Sequence, residues 1–244
     1  MYHSLDTSGS VVSVAPKMFA DQMSCISDIG FRGISLSDAV SHLEANGSWP
    51  SKSVVLTFDD GFANFHENAL GPLTQYGLSA TVFLISNYVG GQNTWDTPPE
   101  GLGTRSMLNW EQVVEVAAAG VEIGAHTHNH PNLRTLPDAR VDYEIVESRI
   151  RIEDHLNSRV ESFAYPYGAV SSAAARVAAR EFRSACTTVL RPAHREPMHL
   201  LPRIDMHYVR SLNSFRRLLI GHLDHYLTAR RWGRTVRRAL IPGS

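Results

Sequence analysis

Short apolar runs alternate with amphipathic segments of helical length along most of this chain, and that alternation predicts its elements in order. Residues 16–30 set Met18-Phe19, Met23 and Ile26 at helical spacing ahead of Gly30, which predicts a helix closed by a glycine cap. Residues 37–46 repeat the pattern, with Ser37 at the N-cap position and Asn46-Gly47 as the stop. The mostly apolar run 54–58 predicts a buried strand. A helix over 64–76, broken at Gly71-Pro72 and ended by Gly77, leads to a nearly continuous apolar strand over 80–85. Residues 89–107 hold six glycines or prolines and little periodicity, which predicts a long loop on the functional rim. Helices are expected over 109–119, from Thr135-Leu136-Pro137-Asp138 onward with the stripe Val141, Ile145, Ile152 and Leu156, and over 172–181. Strands are expected over 121–125, 161–164 and 184–188, then a strand over 201–205 and a final helix over 213–226. Apolar strands separated by helices predict an α/β chain with a mainly parallel sheet covered on both faces.

Composition changes this picture little. At 244 residues, 43% hydrophobic and 19% charged, with no repeat or linker, the chain reads as a single domain over 1–244. A formal charge of -1 and an isoelectric point near 6.9 give no reason to expect nucleic acid as a partner. Cys25 and Cys186 form no CxxC pair and read as free core thiols, with a disulfide as the alternative. No apolar run is long enough for a transmembrane segment and no leader pattern is present. That reads as cytoplasmic, with an upstream segment ahead of Met1 left open. The basic stretch Arg230-Arg231-Trp232-Gly233-Arg234, with Arg237-Arg238, reads as a solvated terminus; contact with anionic lipid or polysaccharide is the alternative.

Two strand ends carry the chemistry. The run 54–58 delivers Asp59 and Asp60 to the rim of the sheet, followed by Gly61. Adjacent carboxylates in a dry cleft repel each other, so the arrangement makes sense if a cation neutralises one and leaves the other as a base. The strand over 121–125 runs directly into His126-Thr127-His128-Asn129-His130, where His126 and His130 stand four apart and can face one point. Two histidines and one aspartate make a borderline N/O donor set that suits zinc, with cobalt, manganese and nickel as alternatives.

Thr57-Phe58-Asp59-Asp60-Gly61, His126-Thr127-His128-Asn129-His130 and Phe163-Ala164-Tyr165-Pro166-Tyr167-Gly168, in that order, resemble the polysaccharide deacetylase family, carbohydrate esterase family 4. The motif-bearing part spans 52–226. The resemblance implies a distorted, incomplete (β/α) barrel and metal-dependent removal of acetyl groups from sugars, with an acetylated glycan as substrate. Carried over by position, it implies Asp60, His126 and His130 as metal ligands, Asp59 as general base and the backbone N–H of Tyr167 as an oxyanion donor. His128 is left as structural or solvent-facing.

The departures are specific. Many members begin the third motif with an arginine that tethers the catalytic aspartate, and Ala164 stands in its place here. Arg203 and Asp205 are the candidates to support the site instead, one as a fork on a carboxylate and the other as a partner for a histidine. The branch acting on poly-N-acetylglucosamine places a histidine in an N-terminal Tyr-His, which Tyr2-His3 resembles, so His3 is the expected general acid. His222 and His225, in Ile220-Gly221-His222 and Leu223-Asp224-His225, are the alternatives. Of the tryptophans, Trp95, in the long loop, is the better candidate for a platform that stacks on a sugar, and Trp110 is expected in the core. Two other functions stay open at this point: a catalytically impaired sugar-binding homologue, and a hydrolase of a non-sugar C–N bond.

Overall fold

The computed structural model describes residues 1–98, 100–223 and 225–232. Its elements alternate as the apolar pattern predicts: α1 (Pro16–Asp28), β1 (Arg32–Ile34), α2 (Leu36–Asn46), β2 (Ser53–Val55), β3 (Thr57–Phe58), α3 (Asn64–Asn68), α4 (Leu70–Gln75) and β4 (Thr81–Leu84). The second half continues with α5 (Trp110–Ala118), β5 (Glu122–Ala125), α6 (Asp138–Leu156), β6 (Ser162–Ala164), α7 (Ser172–Glu181), β7 (Ser184–Cys186) and α8 (Leu212–Leu219). Strands β3 to β7 pair in parallel in chain order, and β1 pairs with β2 in a separate parallel ribbon. Such a sheet, wound in one direction without closing, is the open half-barrel expected of an incomplete (β/α) barrel.

Several predicted boundaries move, each for a local reason. The run 54–58 is two strands in two sheets. Leu56 makes the transfer: its N–H donates to the Ile34 carbonyl at 3.4 Å, and its own carbonyl accepts the Thr81 N–H at 2.8 Å. Strand β1, unrecognised in the sequence because it is only three residues long, pairs with β2. The N-cap of α2 is Ser35, whose side chain accepts the Asp38 N–H, and not Ser37. The final helix stops at Leu219, with Ile220 capping it and Gly221 at φ 77°, and helical structure resumes only at 225–232. Both cysteines are free and buried. Asp224 and residues 233–244, including Arg234, Arg237 and Arg238, lie outside the described residues. Among the described residues, no helix is long and apolar enough to cross a membrane.

Packing across the sheet is close enough to dictate sequence. Val82, Phe83, Ala125, Phe163, Ala164 and Ala185 are fully buried on the central strands. A Cβ at Gly124 on β5 would lie 2.5 Å from the Phe83 ring and 3.0 Å from the Ser162 carbonyl oxygen, so only glycine lets these strands approach.

Irregular segments guard both edges of the half-barrel. Tyr2 continues the sheet beyond β3: its N–H donates to the Thr57 carbonyl at 2.8 Å and its carbonyl accepts the Asp59 N–H at 3.0 Å. Its ring stacks on Phe58 with centroids 5.0 Å apart and meets Phe19 edge-on at 5.4 Å. At the other edge, residues 201–205 form one bridge, Leu201 to Cys186, in place of the expected strand. The segment then crosses the opening, and the Met206 N–H donates to the Met1 carbonyl at 3.1 Å. The seam of the unclosed barrel is thus spanned by 201–206, and Arg203 lies on that crossing.

Candidate metal centre and carboxylate site

The candidate site residues of each motif follow the C-terminal end of a parallel strand, the end at which strands stop and side chains converge above the sheet. Asp59 and Asp60 follow β3, His126 follows β5, and Tyr165 to Gly168 follow β6. The backbone there is unusual: Asp60 (φ 73°), Thr127 (φ 69°), His130 (φ 61°) and Tyr167 (φ 58°) all adopt left-handed conformations. For non-glycine residues this costs on the order of 1 kcal/mol or more each and persists only where the surroundings enforce it. Gly61 continues the turn at φ 81°, where a Cβ would press within 2.6 Å of Leu84. The turn aims Asp60 inward.

Asp60 Oδ1 lies 3.5 Å from His126 Nε2 and 3.4 Å from His130 Nε2, and the three potential ligand atoms fall within 4.8 Å of one another in a buried setting. His126 Nδ1 sits 2.6 Å from the Ala164 carbonyl oxygen. A carbonyl can only accept, so Nδ1 carries a proton and Nε2 is the ring atom turned toward Asp60. Ala164, the residue standing where an arginine was expected, serves through its backbone. Burial pushes the His130 imidazole down to about 3, against the raising effect of Asp60, which keeps it neutral. Burial would raise the Asp60 carboxyl, but the neighbouring imidazoles, His126 first, hold it below its usual value. Two imidazole nitrogens and a carboxylate oxygen, buried and aimed at one point, fit a divalent metal.

The histidine loop is held from behind. Thr127 Oγ1 accepts the His130 N–H at 3.0 Å. Glu144 on α6, 1% exposed, accepts the Asn129 N–H at 2.8 Å and the Asn129 side-chain amide at 2.9 Å, while its own carbonyl accepts the His128 N–H at 2.9 Å. Sequence reasoning missed Glu144, although an acid one position ahead of Ile145 on a buried stripe was a legible signal. His128 is buried, its Nδ1 2.8 Å from Ser86 Oγ, so it belongs to the structural alternative and not the solvent-facing one.

Asp59 is held differently. Arg203 grips it through both oxygens, Nη1 to Oδ1 at 2.6 Å and Nη2 to Oδ2 at 2.8 Å. The same guanidinium donates from Nε to the Thr187 carbonyl, just past the end of β7, at 3.1 Å, and from Nη1 to Thr57 Oγ1 at 3.3 Å. Burial alone would raise the Asp59 carboxyl, but the Arg203 charge, with smaller contributions from His126 and His3, outweighs it and holds Asp59 ionised well below the usual carboxylate range. His3 Nε2 lies 4.0 Å from Asp59 Oδ2, with the His3 side chain 16% exposed. The Tyr2 pairing to β3 is what carries it there.

The remaining candidates fall elsewhere. Asp205 accepts the His207 N–H at 2.8 Å and caps the short turn Met206–Tyr208, in place of the expected contact with a histidine side chain. His222 and His225 are exposed beyond α8, and among the described residues neither pairs with Asp59 or Asp60. Tyr167 sits beside the metal set, its ring centroid 4.6 Å from that of His130 and its hydroxyl 2.6 Å from Thr97 Oγ1. Trp95, the candidate platform, is 3% exposed and packs against the His130 ring at 5.0 Å, so it forms a wall of the site and not an exposed surface. Trp110 is half-buried and stacks on His155 at 3.7 Å.

Comparison with known proteins agrees with this geometry. The chain is 28% identical over 168 residues to the YxkH protein of Bacillus subtilis (strain 168), covering 69% of this chain and 55% of that protein. It is 24% identical over 165 residues to a protein of Staphylococcus aureus (strain N315) named poly-beta-1,6-N-acetyl-D-glucosamine N-deacetylase, covering 64% of this chain and 54% of the relative. The chain therefore spans about half the length of the curated relatives it matches. Among solved structures, the Streptococcus pyogenes deacetylase PplD in complex with acetate superimposes with a TM-score of 0.73 at 26% identity, over 84% of this chain and 89% of the other. IcaB from Ammonifex degensii shares the fold, with a TM-score of 0.73 at 24% identity, over 90% and 93% of the two chains. The polysaccharide deacetylase family model matches residues 46–182, more than half of the sequence and all three motifs, and the chain belongs to that family.

Proposed function

We propose that this protein hydrolyses the acetamido group of N-acetylated sugars in a polysaccharide or oligosaccharide, releasing acetate and leaving a free amine. The observation that carries the proposal is the division of labour between adjacent carboxylates: Asp60 faces His126 and His130, while Asp59 faces Arg203 and His3. A divalent metal held by Asp60, His126 and His130, zinc by its donor set with cobalt, manganese or nickel as alternatives, supplies the positive charge that polarises the acetyl carbonyl and acidifies water.

The protein's own groups then have defined tasks. Asp59, kept ionised by Arg203, accepts the proton that water loses as its oxygen bonds to the carbonyl carbon. The Tyr167 N–H donates to the developing oxyanion. His3 returns a proton to the sugar nitrogen as the C–N bond breaks, so that water and amide become acetate and amine with no change of oxidation state. A homologue that only binds sugar would be favoured by loss of the tether and of the histidine; Arg203 and His3 at Asp59 support turnover instead. The named activity of the Staphylococcus aureus relative supports poly-N-acetylglucosamine as the substrate class.

The test is acetate release from N-acetylglucosamine oligomers, abolished by chelation and restored by zinc or cobalt. Metal binding without release from any acetylated glycan would overturn the proposal. Activity on linear or cyclic amides with none on the oligomers would move it to a non-sugar C–N bond.

A further inference from the structure

Charge is divided unevenly along this chain. Residues 1–209 carry 15 Lys and Arg against 23 Asp and Glu, whereas residues 210–244 carry eight arginines against the single acid Asp224. The balances are -8 and +7, and together they make the formal -1 of the whole. In the first part arginines are commonly met by carboxylates, as Arg149 is by Glu153 and Glu181, and Arg183 by Glu44 and Glu161. Among the described residues, no carboxylate pairs with Arg210, Arg216, Arg217 or Arg230.

The same segment exposes large apolar side chains. Helix α8 buries Phe215 against the body and leaves Arg216 and Arg217 exposed. Leu212, Arg216 and Ile220 follow one another at intervals of four, a spacing that sets them along one face, with Leu212 39% and Ile220 46% exposed. Farther on, Arg230 lies over the Tyr226 ring at 5.2 Å, and Trp232 is 72% exposed.

Arginines without counter-anions would suit any polyanion. A nucleic acid or acidic polysaccharide, however, would leave Leu212, Ile220 and Trp232 in water. The boundary of an anionic bilayer accepts both, phosphates pairing with guanidinium groups while leucine, isoleucine and tryptophan enter the headgroup region. We propose that this arginine-rich segment, α8 and residues 225–232, docks the protein on an anionic lipid membrane.

Co-sedimentation of the full chain with vesicles of phosphatidylcholine, alone or mixed with phosphatidylglycerol, tests this. Binding is expected to the mixed vesicles and to weaken with salt. An arginine near an anionic surface contributes about fivefold in affinity, so the double variant Arg216→Ala/Arg217→Ala is expected to lose roughly twentyfold or more. Trp232→Ala should weaken binding while leaving the salt dependence in place. These side chains are exposed, so thermal midpoints should match the parent and exclude misfolding as the cause. Equal binding to phosphatidylcholine alone, or a double variant that binds like the parent, would overturn the proposal. Retention on heparin without any vesicle binding would overturn it in favour of an anionic polymer.

Discussion

Arg203 holds Asp59 through both carboxylate oxygens, at 2.6 and 2.8 Å, from 144 positions farther along the chain. The pair is buried, with side-chain exposures of 6% and 3%, and a bidentate fork is the geometry in which an arginine cannot be exchanged for lysine without loss. Arg203→Lys should therefore keep the charge but lose orientation, and turnover should fall by about tenfold or more. Arg203→Ala leaves an unpaired buried carboxylate and should cost about 3–5 kcal/mol in denaturant unfolding. Parent-like turnover in the lysine variant would show that the fork does not position Asp59.

The two aspartates should separate in a paired measurement of metal content and turnover. Asp59→Asn is expected to retain metal and lose turnover by about a hundredfold or more, as removal of a general base should. Asp60→Asn, His126→Ala and His130→Ala should lose metal affinity itself. Equal metal loss in Asp59→Asn would reverse the assignments.

His3 faces Asp59 at 4.0 Å, and His3→Ala is expected to lower kcat by about a hundredfold or more with metal content unchanged. Unchanged turnover would remove His3 from the reaction. A comparable loss in His222→Ala or His225→Ala, neither of which pairs with Asp59, would return the acid role to those positions.

Asp6 ties the loop after His3, accepting from Ser4 Oγ at 2.5 Å, from the Ser8 N–H at 2.7 Å and from Ser13 Oγ at 3.1 Å. Burial would raise its carboxyl, but these hydrogen bonds outweigh burial and lower it. A carboxyl lowered in the folded state stabilises above its unfolded value, about 4, and loses that contribution as pH falls through the folded one. Asp6→Asn should melt roughly 2–4 °C below the parent at neutral pH, with the gap closing in acid. A gap that widens in acid would contradict the sign.

Gly124 admits no side chain. Gly124→Ala drives a methyl into Phe83 and the Ser162 carbonyl and should destabilise by about 1–3 kcal/mol in denaturant unfolding, disturbing the strand that delivers His126. An unshifted denaturation midpoint would show that the sheet relaxes around it.

Local patterns were enough for much of this protein. Apolar runs set between helical stripes specify parallel strands because burial on both faces demands them, and acids and histidines just after such runs must reach the rim. Asp59, Asp60, His126 and His130 were legible for that reason. Boundaries that depend on a partner were not: Leu56 divides one apolar run between two sheets because Ile34 and Thr81 lie on opposite sides of it. Trp95 reads as a loop residue until Phe62, Ile85, Leu102 and Met107 enclose it. The resemblance put His3 ahead of His222 and His225 and named Arg203 and Asp205 as supports, but where each side chain lies depends on which segment crosses the open seam of the barrel. The pairing of Tyr2 with β3 brings His3 to Asp59 from one edge, and the crossing at 201–206 brings Arg203 from the other.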